Sequence, residues 1–181
     1  MAELKLIHPT RTYGAQIWDL RDALKGEFAT IPGTNGLADV TDLDTWFSTL
    51  ENPQLPTRFT CETLTSSTYL AVRESDDCVV GMVDIRHQLD DYLYHFGGNI
   101  GYCVKPTERL KGYAKEMLRL ALEECTLLGI NDILITCSNQ NNGSIKTILA
   151  NGGIFENEVD RGDKIIQRYW IHTRKAQYIA G

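Results

Sequence analysis

The chain has 181 residues, of which 43% are hydrophobic, and its 24 acidic residues against 18 basic ones give a net charge of −6. This composition excludes a disordered or low-complexity protein. The acidic balance argues against a nucleic-acid partner, which usually meets a basic surface. No apolar run approaches the ~20 residues of a membrane-spanning helix, so no membrane partner is expected. The length fits a single domain over residues 1–181.

The sequence holds five cysteines, an odd number without a C-x-x-C pair, at positions 61, 78, 103, 125 and 137. This pattern indicates reduced thiols, not a disulfide framework or a zinc site. The first residues, MAELKLIHPTR, lack the apolar core of a signal peptide. We therefore expect a cytoplasmic protein without a bound metal.

The N-terminal part of the chain, residues 1–65, predicts one strand and two helices. Alternation over 3–7 is typical of an edge strand. Apolar residues at helical spacing predict a helix over 13–27, and an amphipathic pattern predicts another over 41–52. Between the two helices, the stretch IPGTNG breaks the chain.

The remainder, residues 66–175, predicts a sheet with two further helices. The predicted strands cover 68–74, 78–87, 99–104, 131–138, 154–159 and 164–172, and the helices end near 128 and cover 141–151. A strand–helix–strand unit implies a parallel pair with a right-handed crossover, and the hairpins on either side imply antiparallel strands. The expected fold class is therefore α/β, with a mixed sheet flanked by helices.

The helix that ends near 128 shows one apolar stripe at i, i+3, i+4 spacing. Its members are Leu110, Ala114, Met117, Leu118, Ala121, Leu122, Cys125 and Leu128. Gly129 is a suitable residue to end this helix. The pattern predicts that all eight side chains face the core.

The start of the same helix, RLKGYAKEML, gathers Arg109, Lys111 and Lys115 around Gly112. A helix N-terminus offers free N–H groups and a partial positive charge, and glycine lets an anion approach the backbone. Three alternatives remain open: solvated cations, a tolerated helix glycine, or pairing with neighbouring glutamates. The P-loop pattern G-x-x-x-x-G-K-S/T is absent. The stretch favours a diphosphate site.

The stretch RLKGYA resembles R/Q-x-x-G-x-G/A, the pyrophosphate motif of the GNAT superfamily of N-acetyltransferases. IGYCV precedes it, and DILITCS and NNGSIKTILANGG follow it, in the order of that family. The resemblance covers roughly residues 79–170 and is strongest to poorly characterised bacterial acetyltransferases. It implies the GNAT fold, in which acetyl-CoA lies between two splayed parallel strands. Residues 1–65 would then form the acceptor side and residues 66–175 the acetyl-CoA-binding core.

The resemblance also implies which residues bind acetyl-CoA, the expected cosubstrate. The backbone around Cys103 and Val104 would bind the pantetheine arm and polarise the thioester carbonyl. Asn141 and Ser144 match the N-x-x-A/S positions, with Asn139 as an alternative to Asn141. The pyrophosphate would lie against Arg109, Leu110, Lys111, Gly112, Tyr113, Ala114 and Lys115.

The reaction implied is direct transfer of the acetyl group to a primary amine, which needs a base. His87 is the first candidate and Glu156 the second, although each could be a structural or solvated residue. Many relatives carry a tyrosine that protonates the leaving thiolate, but that position here is Ile148. The alternatives for this acid are Tyr102, Ser138 and Tyr169. A nucleophilic role for the Cys103 thiol is disfavoured because no base pairs with it.

The resemblance leaves the amine acceptor open between a small molecule and a peptide or protein. Aromatic residues between two predicted strands either line its pocket or simply pack: Tyr92, Tyr94, His95 and Phe96. Acidic residues at 19, 22, 39, 42 and 44 either attract a cationic amine or form a solvated face. A homodimer is common in this family. The alternatives to an enzyme are a non-catalytic acyl-CoA-binding sensor and an unrelated α/β binding domain.

Overall fold

Seven strands and four α-helices follow one another in the described residues, 3–51 and 64–173, of the computed structural model. Their order, β-α-α-β-β-β-α-β-α-β-β, is the predicted one. Cys61 lies outside the described residues. The bounds are β1 Leu4–Ile7, α1 Gly14–Leu24, α2 Leu43–Glu51, β2 Ser66–Arg73, β3 Cys78–Arg86, β4 Ile100–Val104, α3 Tyr113–Leu127, β5 Asp132–Ser138, α4 Asn142–Ala150, β6 Ile154–Asp160 and β7 Ile165–His172.

The strands form two antiparallel sheets that lie side by side. One sheet has the order β1-β2-β3-β4 and the other has the order β5-β7-β6. Among the described residues, β4 and β5 share no ladder, and a single bridge joins Gly98 to Ile135. The mixed α/β class is confirmed, and β4 and β5 are the splayed pair that the resemblance implied.

The contact between the two sheets, called here the strand joint, centres on Gly98, Asn99, Leu134 and Ile135. The backbone N–H of Asn99 donates to the Leu134 carbonyl at 2.7 Å, and the Leu134 N–H donates to Asn99 Oδ1 at 2.9 Å. The Arg86 guanidinium donates from Nη1 to the Gly98 carbonyl at 3.0 Å. Asn99 is buried. These hydrogen bonds therefore fix the point at which β4 and β5 begin to separate.

Two apolar cores lie on opposite faces of the first sheet. One packs α3 and α4 against strands of both sheets and includes Met117, Tyr69 and Ile133. The other packs α1 and α2 against the first sheet and includes Leu20 and Trp46. Side-chain packing under α3, more than backbone pairing, therefore holds the two sheets together. Within the described ranges, every helix is too short or too polar to cross a membrane.

The predicted stripe of α3 is wrong at both ends. The α-helix begins only at Tyr113, and Leu110 precedes it with a φ of +61° and a fully exposed side chain. Leu128 caps the other end and is 40% exposed. The left-handed backbone at Leu110 interrupts the helical period, so its side chain cannot join the buried face.

Candidate functional site

The free edge of β4 follows from its pairing with β3. The Lys105 N–H donates to the Val80 carbonyl at 2.8 Å, and Cys103 stands opposite Met82 in the same register. Backbone groups of an antiparallel strand point alternately to its two sides. The N–H groups of Tyr102 and Val104 therefore point away from β3, toward β5.

The free edge of β5 follows in the same way from its pairing with β7. The Asn139 N–H donates to the Ile165 carbonyl at 3.1 Å, which turns the backbone groups of Thr136 and Ser138 away from β7. The two free edges therefore face each other across a groove. The groove is closed at the strand joint and opens toward Val104 and Ser138.

The loop between β4 and α3, residues 105–112, lies at the open end of this groove. Gly112 caps α3 with a φ of +85°. Within the part of the chain that the structure describes, the N–H groups of residues 110–115 donate no hydrogen bond. Successive free N–H groups, together with the partial positive charge of a helix start, form an anion site. The loop has the features that a diphosphate requires.

Arg109 and Lys111, two of the cations around this loop, pair with carboxylates. Arg109 Nη2 lies 2.7 Å from Glu27 Oε2, and Arg109 Nε donates to the Val104 carbonyl at 3.3 Å. Lys111 Nζ lies 2.9 Å from Glu108 Oε2, and this hydrogen bond is the largest cause of the lowered Glu108 pKa. The local pairing considered from the sequence is therefore real for Lys111. An incoming anion competes with Glu27 for Arg109.

The start of α4 joins the two predicted residues of the second motif. Asn141 caps the helix, and its Oδ1 accepts the Ser144 N–H at 3.0 Å. Asn139 uses its own N–H in the pairing of β5 with β7. Asn141 thus fixes the position of Ser144, while the choice between Asn139 and Asn141 as a cofactor ligand stays a prediction.

Tyr102 places a phenol between the groove and α4. Its hydroxyl is buried and has no hydrogen-bond partner among the described residues. Burial raises the pKa of Tyr102 to about 12, while the hydroxyls of Ser144 and Thr147 act in the opposite direction. Ile148, at the position where relatives carry tyrosine, is fully buried in the core. Tyr102 therefore places a buried phenol beside Ser144 and Thr147 of α4, the helix on which position 148 offers none.

The two candidate bases lie at different distances from the groove. His87 follows β3 and lies near the strand joint, where its Nε2 is 2.8 Å from Ser67 Oγ. Glu156 is on β6, two strands from β5, or roughly 10 Å. Its Oε2 lies 2.6 Å from Arg168 Nη1. The base role stays a prediction for both residues.

The remaining candidates have local partners or are inaccessible. Tyr169 donates its hydroxyl to Gln167 Oε1 at 2.6 Å, and Ser138 Oγ accepts the Gln140 N–H at 3.3 Å. Cys103 is buried in the core under α1 and α2, and burial raises its thiol pKa to about 12. Its N–H pairs with β3, so the free N–H groups are those of its neighbours in β4.

Sequence reasoning missed a buried carboxylate on β3. Asp84 lies opposite Gly101 of β4, and its Oδ1 accepts the Thr68 hydroxyl at 2.8 Å. Its Oδ2 is 3.8 Å from Arg86 Nε, and burial raises its pKa. The available signal was a charged residue inside the apolar strand CVVGMVDIRH.

Sequence reasoning also read IPGTNG only as a break between helices. Gly33 in this stretch has a φ of +77°, and a Cβ there would lie 2.7 Å from Tyr102 Cα and 2.8 Å from the Gly101 carbonyl. The loop therefore lies directly on the backbone of β4. It forms part of one wall beside the groove.

The aromatic segment after β3 includes a π-helical turn, Leu93–Gly97. The Thr136 hydroxyl donates to the Phe96 carbonyl at 2.7 Å, which attaches this turn to β5. The Tyr94 ring lies over the Arg168 guanidinium at 4.8 Å from its centroid. The aromatic residues thus lie next to the groove, and their role in acceptor binding stays a prediction.

The acidic residues of the N-terminal helices have local partners. Asp19 pairs with Lys105, Asp22 with Arg21 and Asp44 with Arg11, and Asp42 accepts the Thr45 N–H. These contacts favour the solvated face over a site for a cationic amine. The described residues contain no group of three His, Cys, Asp or Glu side chains suited to a metal.

The chain is similar to a known sequence family and to several solved structures. The sequence model of the Acetyltransferase (GNAT) domain matches residues 26–154. No curated protein matches the chain. YncA of Salmonella typhimurium with its cofactor acetyl-CoA is a similar structure, with 14% identity, a TM-score of 0.64 and coverage of 96% of both chains.

Two further structures are similar at the level of the fold. One is a Salmonella typhimurium acetyltransferase that modifies the N-terminal serine of a 50S ribosomal subunit protein: 14% identity, TM-score 0.65, covering 93% of this chain and 94% of that one. The other is the spermidine/spermine N-acetyltransferase SpeG of Vibrio cholerae: 12% identity, TM-score 0.64, covering 94% and 95%.

Proposed function

Because the chain belongs to the GNAT acetyltransferase family, we propose that it transfers an acetyl group from acetyl-CoA directly to a primary amine. The observation that carries the proposal is the groove between β4 and β5, which leads to the loop of free N–H groups before α3. A ligand with an extended amide chain that ends in a diphosphate fits both the groove and the loop before α3.

Different backbone groups along the groove bind different parts of acetyl-CoA. The free backbone N–H groups of Tyr102 and Val104 on one side, and of Thr136 and Ser138 on the other, bind the amides of the pantetheine arm as a strand would. One N–H of β4 polarises the thioester carbonyl and stabilises the oxyanion. The N–H groups of residues 110–115 hold the pyrophosphate.

Two substitutions at the Arg109–Glu27 pair are expected to change acetyl-CoA affinity in opposite directions. Arg109→Ala removes a cation from the anion site and should weaken binding about 10-fold. Glu27→Gln frees Arg109 from an exposed ion pair and should tighten binding by up to about fivefold, since such pairs contribute little. Isothermal titration with acetyl-CoA measures both. Equal affinity in the two variants would place the pyrophosphate elsewhere.

The leaving thiolate needs a donor, and Tyr102 is our choice for it. A phenol with a pKa of about 12 stays protonated across the working range of the enzyme. Its hydroxyl makes no hydrogen bond of normal geometry among the described residues, although the Ser144 and Thr147 hydroxyls lie close enough to lower its pKa, so it can turn toward the sulfur of a bound thioester. The base that accepts the proton of the amine is His87, with Glu156 as the alternative.

Tyr102→Phe is expected to lower kcat by about 10²-fold or more without destabilising the protein. Removing a buried hydroxyl that has no partner relieves a desolvation penalty, so the free energy of unfolding should stay equal or rise slightly. Steady-state kinetics and chemical denaturation give the two readings. A normal kcat would remove Tyr102 from the mechanism, and a large loss of stability would mean that the hydroxyl is structural.

A second function, an acyl-CoA-binding sensor without catalysis, is favoured by one observation. Position 148 on α4 is a buried isoleucine, so this helix has no phenol that could protonate the leaving thiolate. Isothermal titration with acetyl-CoA, CoA and NAD as a control tests the groove that both functions need. Release of the CoA thiol with a panel of amines then separates the enzyme from the sensor. If the folded protein binds neither acetyl-CoA nor CoA, both proposals fail and an unrelated binding domain remains.

A further inference from the structure

The guanidinium of Arg168 in β7 is buried, and three of its five N–H donors have no partner among the described residues. The residue is 4% exposed. Its Nη1 contacts Glu156 Oε2 at 2.6 Å and donates to Asn157 Oδ1 at 3.2 Å. Its Nε and Nη2 are buried and have no partner among the described residues. Burying cationic donors without hydrogen-bond partners costs free energy, so Nε and Nη2 are expected to bind a ligand.

The position of Arg168 relates this edge to the groove. Arg168 stands opposite Thr136 of β5, whose backbone groups face the groove. The strands are about 5 Å apart. Thr136 also lies only one residue beyond the strand joint at Ile135. Arg168 is therefore one strand from the closed end of the groove, far from the diphosphate end.

The direction of the side chain is set by strand alternation. Tyr169, the next residue, packs in the core under α3 and α4, so Arg168 faces the opposite side of the sheet. There the Tyr94 ring covers one face of the guanidinium. Tyr94 is 43% exposed and belongs to a π-helical turn of only five residues. The arginine thus lies under a half-exposed aromatic cover.

We propose that the acceptor is an amino acid or short peptide whose carboxylate is bound by Nε and Nη2 of Arg168, and this rests on the proposed function. The two donors lie in one plane and match the two oxygens of a carboxylate. Glu156, which is 37% exposed at the side chain, pairs only with Nη1, so Nε and Nη2 are left for the carboxylate of the acceptor, whose amine stays free to reach the groove. A phosphate dianion would be repelled by Glu156, which favours the singly charged carboxylate.

The test compares amino acids and dipeptides with their amides, which keep the amine and lose the carboxylate. Spermidine serves as a carboxylate-free amine. We expect kcat/KM to be about 10- to 100-fold higher for the free carboxylates, as for the loss of a charge-assisted bidentate contact. CoA-thiol release and the mass of the product measure this ratio. Equal acetylation of amides or spermidine would overturn the proposal.

Arg168→Lys keeps the charge and loses the planar fork. It is expected to raise KM for the carboxylate acceptor about 10-fold or more, with KM for acetyl-CoA unchanged. Arg119→Lys is the matched control, since Arg119 is an exposed arginine on α3 paired with Glu116. If Arg168→Lys does not fold, Tyr94→Ala removes the cover without touching the sheet and should lower KM for carboxylates.

The failure of this proposal is distinguishable from the failure of the proposed function. Absence of acetyl-CoA binding ends the proposed function. In that case isothermal titration of the protein with the same amino acids and dipeptides still tests Arg168. Binding that weakens in Arg168→Lys supports the carboxylate site. Absence of binding by every amino acid and dipeptide, or equal binding by their amides, overturns it.

Discussion

Gly98→Ala is expected to lower the free energy of unfolding by roughly 3 kcal/mol or more, because it opens the strand joint. A Cβ at this position would lie 2.5 Å from the Leu134 carbonyl oxygen and 3.1 Å from its carbon. Both are backbone atoms of β5, so neither can rotate away. The φ of +66° adds conformational strain. Urea denaturation followed by circular dichroism measures the loss.

Gly129→Ala is the matched control for this substitution. Gly129 has a φ of +78°, and a Cβ there meets nothing within 4 Å. It should therefore lose only the strain of a left-handed residue, about 1 kcal/mol. The difference between the two variants contains the contact of the two sheets together with the additional strain of Gly98, whose ψ of −176° lies outside the left-handed helical region. Equal losses would mean that the joint at Gly98 tolerates a side chain.

Gly112→Val is expected to weaken acetyl-CoA binding about 100-fold, the effect of losing roughly 3 kcal/mol of charge-assisted hydrogen bonding. Gly112 caps α3 with a φ of +85°, a conformation that a β-branched residue avoids. Relaxation of this strain turns the neighbouring N–H groups away from a common point. Isothermal titration with acetyl-CoA gives the change in affinity.

The control for Gly112 lies in the turn between β6 and β7. Gly162 has a φ of +93° and open space around it, so Gly162→Val imposes similar strain far from the loop. Its acetyl-CoA affinity should stay within about twofold of the original protein. An unchanged affinity in Gly112→Val, with the helix intact, would contradict the assignment of the pyrophosphate to this loop.

Local pattern predicted most of the fold. The period of α3 identified its buried face, because Met117, Ala121 and Cys125 recur about once per turn. The same period failed at Leu110, where the backbone leaves the helix with a positive φ that composition does not reveal. The order of strands and helices predicted β4 and β5 as neighbouring strands joined by a helix, and the resemblance to the GNAT family implied that this pair splays apart.

The polar contacts of the site depend on the pairing of strands that are far apart in the sequence, which the local sequence pattern does not reveal. Arg168 meets Glu156 only because a bulge in β6 shifts the register between Phe155 and Asn157. Asp84 is buried by a ladder with β2 on one side and β4 on the other. Their charges were visible in the sequence, but their burial was not. The buried position of Ile148 gives a physical reason for the one departure from the family pattern.

Burial makes the thiols of three cysteines chemically unreactive. Burial raises the thiol pKa of Cys103 and Cys125 to about 12 and that of Cys137 to about 11. At pH 7 a thiol with a pKa of about 12 is ionised in only about one molecule in 10⁵. Thioester exchange and mixed-disulfide formation both require the thiolate. If the chain acts on acetyl-CoA as proposed, their burial keeps these sulfurs from capturing the acetyl group themselves.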